Sequence, residues 1–205
     1  MTRRNNLDRK RKCRPPGRLR IVAGKWRGRL LPIVDIPELR PTSARIRETL
    51  FSWLTPYLQG ARCLDLFAGS GALGFEALSR GVDQVTFVEK NRVAVRGLEA
   101  SAAALGAERA TVVQDDAHRF LASAAGGKYD LVFLDPPYAA DSVTELCRLL
   151  SAEGCLSANA LVYFEQDRQQ TRPILPEGWT VIKEKSAGQV RYALASSHGV
   201  SSKRA

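Results

Sequence analysis

The chain has 205 residues, of which 44% are hydrophobic, 31 are Lys or Arg and 21 are Asp or Glu, a net charge of +10. That length suits one α/β domain with appendages. No apolar run approaches the roughly 18 residues of a membrane span, and the basic start has no apolar stretch behind it, which argues against a secretory signal.

The charge is concentrated at one end. Residues 1–29 hold twelve Lys or Arg and a single acid, Asp8, so the rest of the chain is close to neutral. Residues 1–18 read as a disordered basic arm of the kind that meets nucleic-acid phosphates. Residues 19–34 alternate like a small β-hairpin, with Gly24 and Gly28 as turn candidates. Within it, Lys25, Trp26 and Arg27 place an aromatic ring between cations. Such a ring either stacks on a base while its neighbours meet phosphates or packs the hairpin onto the domain. Residues 35–41 form a loop with two prolines. Thr42 or Ser43 caps a helix over 44–58, whose apolar stripe is Ile46, Leu50, Trp53 and Leu54. Arg45 and Arg47 leave that stripe. They hold a cofactor carboxylate or an RNA phosphate, or they pair with Glu48 and the domain surface.

Strands and helices then alternate: strand 61–66, helix 72–80, strand 84–89, helix 92–105, strand 110–114, helix 117–125, strand 129–135, helix 141–151 and strand 159–165. Alternation of this kind gives a parallel, doubly wound sheet. Residues 179–185 and 190–195, joined around Gly188, close it as an antiparallel hairpin. The expected division is an arm (1–18), a hairpin-and-helix extension (19–58), a catalytic domain (59–195) and a disordered tail (196–205). Cys13, Cys63, Cys147 and Cys155 have no C-x-x-C spacing, which suggests neither a metal site nor a disulfide framework and fits a reducing cytosol.

Chemistry is expected where these strands end. Asp65 closes the first parallel strand and is followed by Phe67, Ala68, Gly69, Ser70 and Gly71. With Gly74 the glycines match the G-x-G-x-x-G pattern of dinucleotide binders. Asp65 argues against that reading, because its carboxylate stands where a pyrophosphate would lie on a helix N-terminus. A cofactor with an ammonium group and no phosphate is attracted instead, and S-adenosylmethionine (AdoMet) is one. Glu89, ending the next strand, is placed to accept from ribose hydroxyls. Asp115, Asp116 and Ala117 follow the third strand, where one acid caps the coming helix.

The fourth strand ends in Asp135, Pro136, Pro137 and Tyr138. The prolines stiffen the loop and remove its N–H donors. Acceptors remain, namely the Asp135 carboxylate and the loop carbonyls, beside the flat face of Tyr138. That set suits an amino group on a planar ring. Glu165, ending the fifth strand, borders the same place.

These motifs resemble the Rossmann-like AdoMet-dependent methyltransferases, and the Asp-Pro-Pro-Tyr loop resembles the branch that methylates exocyclic or amide nitrogens. The run from Arg40 to Phe51, together with Asp65 to Gly71, is similar to the ribosomal RNA small subunit methyltransferase D family, over roughly residues 19–195. The resemblance implies a seven-stranded sheet and methyl transfer from AdoMet to the N2 amine of a guanine in 16S rRNA. The small domain with no separate reader domain suggests that the shape of an assembled or assembling 30S particle selects the site. It implies that Asp116 accepts from the adenine amine of the cofactor. It also implies a cytoplasmic monomer without membrane attachment. Two alternatives remain at this stage: an N6-adenine methyltransferase and a non-catalytic RNA-binding assembly factor.

Overall fold

The computed structural model describes residues 17–32, 43–123, 128–137 and 142–197. Two sheets occur among them. The smaller is an antiparallel ribbon of β1 (Arg18–Arg20) and β2 (Leu30–Pro32), in which Leu19 faces Leu31. Both leucines are buried, so the strand alternation turns one face of the ribbon inward. α1 (Ala44–Leu54) starts at Ser43, whose hydroxyl accepts from the Ile46 amide. It stops at Leu54, earlier than residue 58. A 3-10 turn over Thr55–Tyr57 follows, because Pro56 has no N–H to continue the helical ladder.

The main sheet is built from β3 (Arg62–Asp65), β4 (Gln84–Glu89), β5 (Ala110–Gln114), β6 (Tyr129–Leu134), β7 (Leu156–Asp167), β8 (Thr180–Ala187) and β9 (Val190–Ser196). The connections carry α2 (Ala72–Ser79), α3 (Arg92–Leu105), α4 (Ala117–Ala122) and α5 (Ser142–Ala152). The strand order is β5-β4-β3-β6-β7-β9-β8. β3 to β7 run parallel, while β9 is antiparallel to both β7 and β8. The chain winds outward from β3 to β5 and then returns to β3's other side as β6. Beyond the carboxyl ends of β3 and β6 lies the crevice that such a reversal opens.

β7 is longer than the apolar run 159–165 suggested. Its extra residues are Leu156, Ser157, Ala158, Gln166 and Asp167, and the Ser157 hydroxyl donates to the Asp130 carboxylate at 2.6 Å, with the Tyr129 carbonyl also within reach at 3.1 Å. The core has one cluster on each face. Phe51, Phe75, Phe87, Phe133, Tyr163 and Tyr192 belong to one. Leu64, Val132, Leu134, Leu146, Leu150 and Phe164 belong to the other. α1 lies over the first, where Phe51 meets Phe133 edge-on with centroids 6.1 Å apart.

The N-terminal ribbon is fastened to α2 by polar contacts. The Glu76 carboxylate accepts from the Val22 amide at 2.8 Å and the Ala23 amide at 3.0 Å. Ser79 accepts from the Lys25 and Trp26 amides and donates its hydroxyl to the Ala23 carbonyl. Gly24 crosses this helix so closely, at φ +83°, that an added Cβ would lie 1.8 Å from the Ser79 carbonyl oxygen. Two guanidiniums complete the joint: Arg80 Nε lies 2.7 Å from Glu76, and Arg47 Nη1 lies 3.7 Å from it. Arg47 also donates to the Arg20 carbonyl at 3.2 Å.

Candidate active site

The glycine turn is anchored to both neighbours of β3. The Leu66 amide donates to the Phe133 carbonyl of β6, and the Ala68 amide to the Val88 carbonyl of β4. Gly71 caps α2 at φ +76°. A Cβ there would stand 2.5 Å from the Phe75 ring, and one on Gly74 would stand 2.2 Å from the Phe87 ring. The turn is therefore left-handed at Gly71, where glycine is favoured, and Gly74 lets α2 sit directly on the sheet. Two strand-tip acids shape it further. Asp65 Oδ2 accepts from the Gly74 amide at 3.0 Å. Glu89 Oε2 accepts from the Gly69 amide at 2.9 Å and its Oε1 from the Asn91 amide at 2.8 Å.

Asp65 is 3% exposed. Burial pushes its pKa from 3.8 up to about 7; the Gly74 amide opposes that shift, while the charges of Asp135 and Glu89 add to it. Desolvation and like charge both disfavour the carboxylate, so the crevice gathers negative charge at a site that resists it.

Asp135 stands just beyond β6. It is half-buried, Pro136 is buried and Pro137 is exposed. Tyr138 lies outside the described residues. The β6–β7 register pairs Leu134 with Phe164, so the next step along both strands sets Asp135 beside Glu165. Glu165 is buried, and the Tyr163 hydroxyl donates to its Oε1 at 2.7 Å. Burial, then Glu165, pushes the Tyr163 phenol well above its ordinary pKa, and Asp135 contributes to the same shift. Asp135 thus acts electrostatically on both Asp65 and Tyr163. The structure brings Glu89, Asp65, Asp135 and Glu165 to one end of four adjacent strands, β4, β3, β6 and β7, around the reversal point.

Comparison with known proteins agrees. The family model described as "Conserved hypothetical protein 95" matches residues 19–196. "Ribosomal RNA small subunit methyltransferase D" of Escherichia coli K12 is 46% identical over 178 residues, covering 87% of this chain and 89% of that one. The chain belongs to the ribosomal RNA small subunit methyltransferase D family. The Haemophilus influenzae protein of that name is 43% identical over 87% of this chain and 93% of its own length. The solved structure of yhhF from Escherichia coli superimposes with a TM-score of 0.83 at 42% identity, over 89% of this chain and 99% of that one. Seven strands in the observed order, with the N-terminal ribbon, are the fold that the sequence led one to expect.

Not every residue singled out in this methyltransferase stands in the crevice. Trp26 is buried among the core residues, with Lys25 Nζ 5.5 Å from its ring, so it packs the ribbon down and presents no free face for stacking. Its neighbours Lys25 and Arg27 are exposed. Arg47 is 3% exposed and committed to Glu76 and Arg20, and burial lowers its pKa despite the Glu76 charge. A substrate phosphate cannot reach it; the sequence placed it off the apolar stripe, and the structure turns it inward to a buried partner. Arg45 is exposed. Asp116 is the N-cap of α4, with Oδ1 accepting from the His118 amide at 3.0 Å, while Asp115 lies 3.4 Å from Arg119. Ala117 is buried behind them and Phe67 is partly buried against the core.

Sequence reasoning missed Glu76, Ser79 and Tyr163. Glu76 and Ser79 sit three apart on α2, on the face that meets the ribbon, but only the docked ribbon explains them. Tyr163 and Glu165 are two apart on a strand and so share a face, a signal the sequence did contain. Among the described residues, no group of three His, Cys, Asp or Glu could hold a metal ion, and no helix is long and apolar enough to cross a membrane.

Proposed function

We propose that this methyltransferase uses AdoMet to methylate the exocyclic N2 amine of a guanine in 16S rRNA, acting as a cytoplasmic monomer on an assembled or assembling 30S particle. The observation that carries the cofactor reading is the convergence of Asp65, Glu89 and Asp135 on one left-handed glycine turn. A pyrophosphate would meet three like charges there. A cationic, phosphate-free ligand offsets them.

The residues present suit such a ligand. Gly69 to Gly71 bring backbone close to it, and Asp65 supplies negative charge to its ammonium. Glu89 is held by two amides and keeps lone pairs for ribose hydroxyls, since each carboxylate oxygen accepts more than one hydrogen bond. Asp116, with Ala117 behind it, is assigned the adenine amine through the oxygen that does not cap α4. AdoMet, when bound, supplies an electrophilic methyl group with a good leaving group.

The chain's own task is then position and electrostatics. A guanine N2 lone pair is delocalised into the ring and is a weak nucleophile. Asp135 and the Pro136 carbonyl accept its two hydrogens and aim the nitrogen. The nitrogen becomes positive as it takes the methyl, the Asp135 charge stabilises it, and one of its two protons then passes to the Asp135 carboxylate or to water. Glu165, fixed by Tyr163, extends the acceptor edge beside Asp135. Pro137 and Tyr138 close over the base, with the Tyr138 assignment resting on sequence alone. Drawing that base out of its helix costs a few kcal/mol, roughly, which stacking and hydrogen bonds offset.

Transfer of tritiated methyl to free 16S rRNA, 30S particles and duplex DNA in parallel, followed by nucleoside analysis, tests the reading. N2-methylguanosine from RNA or particles supports it. N6-methyladenine, or no transfer to any of the three, overturns it.

A further inference from the structure

A second recess lies beside the acidic crevice. Arg45 and Thr49 of α1 form one wall, the turn from Lys185 to Gly188 forms the other, and Tyr192 forms the floor, enclosing about 300 Å³. That is the lower end of the volume range of small-molecule pockets. Its position follows from the sheet register. β9 runs antiparallel to β7, with Val190 opposite Asp167. The β8–β9 turn therefore sits at the carboxyl end of β7, the end that carries Asp65, Asp135 and Glu165.

The recess also shares the face of the sheet on which the target amine is assigned. Tyr192 pairs with Glu165 in the register, its ring lies 6.4 Å from that of Tyr163, and Trp53 of α1 stacks on it at 5.5 Å. Charge is sorted about the same plane. Lys185 is paired with Tyr192 across β8 and β9 and so stands on that face. Its neighbour Glu184 alternates to the other face, where Arg172 Nη2 holds it at 2.8 Å. Both cations of the recess, Arg45 and Lys185, are exposed. Ser186 adds a hydroxyl and Gly188 brings bare backbone to the turn. Two exposed cations, a hydroxyl and an open glycine turn form a site for a phosphodiester, and Glu184 is turned away from it.

We propose that this recess holds a phosphate of the RNA strand flanking the target guanine, so that the strand leaves the crevice over the edge between α1 and the β8–β9 turn. This rests on the RNA substrate proposed above. It assigns Arg45 to the nucleic acid, settling between the two ligands that the sequence left open, and it adds Lys185, which the sequence did not single out. Phosphate contacts of this kind fix register without reading sequence.

The test is an Arg45→Ala/Lys185→Ala double variant. Binding of 16S rRNA is measured by fluorescence anisotropy between about 50 and 200 mM salt, and methyl transfer to 30S particles is measured with KM and kcat resolved. The one phosphate held in the recess accounts for about 0.7–0.9 of the slope of log K against log salt, so the double variant should lose about that much. KM for particles should rise about tenfold. kcat at saturating particles and AdoMet affinity should stay within about twofold of wild type. Arg172→Ala, on the opposite face, should leave the slope unchanged. An unchanged slope and KM in the double variant overturns the proposal, and so does a loss of AdoMet affinity, which would return Arg45 to the cofactor. The two readings fail separately. If the wild type methylates particles and the double variant matches it, only the recess is wrong. If the wild type methylates nothing, the enzymatic reading is wrong, while the salt slope still reports on the recess.

Discussion

Two buried carboxylates touch α2, and their surroundings are opposite. Glu76, fully buried, receives two backbone amides and two guanidiniums, from Arg47 and Arg80. Asp65, nearly as buried, receives one amide and faces the like charges of Asp135 and Glu89. Neutralising partners are supplied to the first from within the chain, and its task is to join the N-terminal ribbon to the domain. The shift of the second has no cationic contribution to offset it, and a cationic ligand is the partner proposed for it. A buried charge satisfied internally is a structural device; one held in a like-charged crevice marks a functional site.

Breaking the Glu76 joint should have the largest effect. Glu76→Ala leaves Arg47 buried without its anion and orphans the Val22 and Ala23 amides. Removing one partner of a buried pair costs about 3–5 kcal/mol, and urea unfolding should show that loss. Glu76→Gln keeps an acceptor for one amide and should cost less. Equal stability of Glu76→Ala and wild type would mean that the ribbon is not held this way.

The next effect is catalytic. Asp135→Ala should reduce single-turnover methylation of 30S particles at saturating AdoMet by about 100-fold or more, as removal of an electrostatic interaction made in the transition state does. AdoMet affinity should be nearly unchanged. Tyr138→Ala should instead weaken particle binding by about 1–3 kcal/mol and leave residual turnover. If the two variants behave alike, the division of labour in the Asp-Pro-Pro-Tyr loop is wrong.

Smaller in energy, but opposite in sign to the Glu76 change, is Asp65→Asn. The folded-state pKa of Asp65 is raised to about 7 from 3.8, so the native state binds more protons than the unfolded chain between those values. Stability of the ligand-free protein therefore falls as pH rises from about 4 to 7, and the penalty is complete above 7. Asn keeps the acceptor for Gly74 and removes the charge. At pH 8, Asp65→Asn should stabilise the ligand-free protein by at least about 1 kcal/mol, or roughly 2–4 °C in Tm for a chain of this size, and should flatten the pH profile in that window. A lower Tm at pH 8 would mean that the charge is compensated within the chain.

Much of this contrast was legible in the sequence at one end and illegible at the other. Asp65, Glu89 and Asp135 each end an apolar run, so periodicity alone places them at strand tips, and the fold rule for parallel sheets brings those tips together. Gly71 and Gly74 announced the turn. Glu76 announced only an i,i+4 pair with Arg80: it lies within the helical pattern, and its other partners Val22, Ala23 and Arg47 are far away in the chain. Trp26 was ambiguous for the same reason, because a ring between cations looks alike whether it faces a base or a core. The start of β7 was missed because Ser157 is fixed by side-chain bonds to another strand, which hydrophobic alternation does not register. The Asp135–Glu165 adjacency needed the β6–β7 register, a quantity that no single segment contains.

If Asp65 carries its charge for the sake of a cationic cofactor, calorimetric titration of AdoMet between pH 5.5 and 7.5 shows it most directly. For the wild type, affinity should rise with pH and level off near 7, with proton release on binding revealed by buffers of different ionisation enthalpy. In Asp65→Asn, affinity should fall by about 1.5–3 kcal/mol, the worth of a charged hydrogen-bond partner, and both the pH dependence and the proton release should disappear. Equal affinity and equal proton release in the two proteins would contradict that role for Asp65.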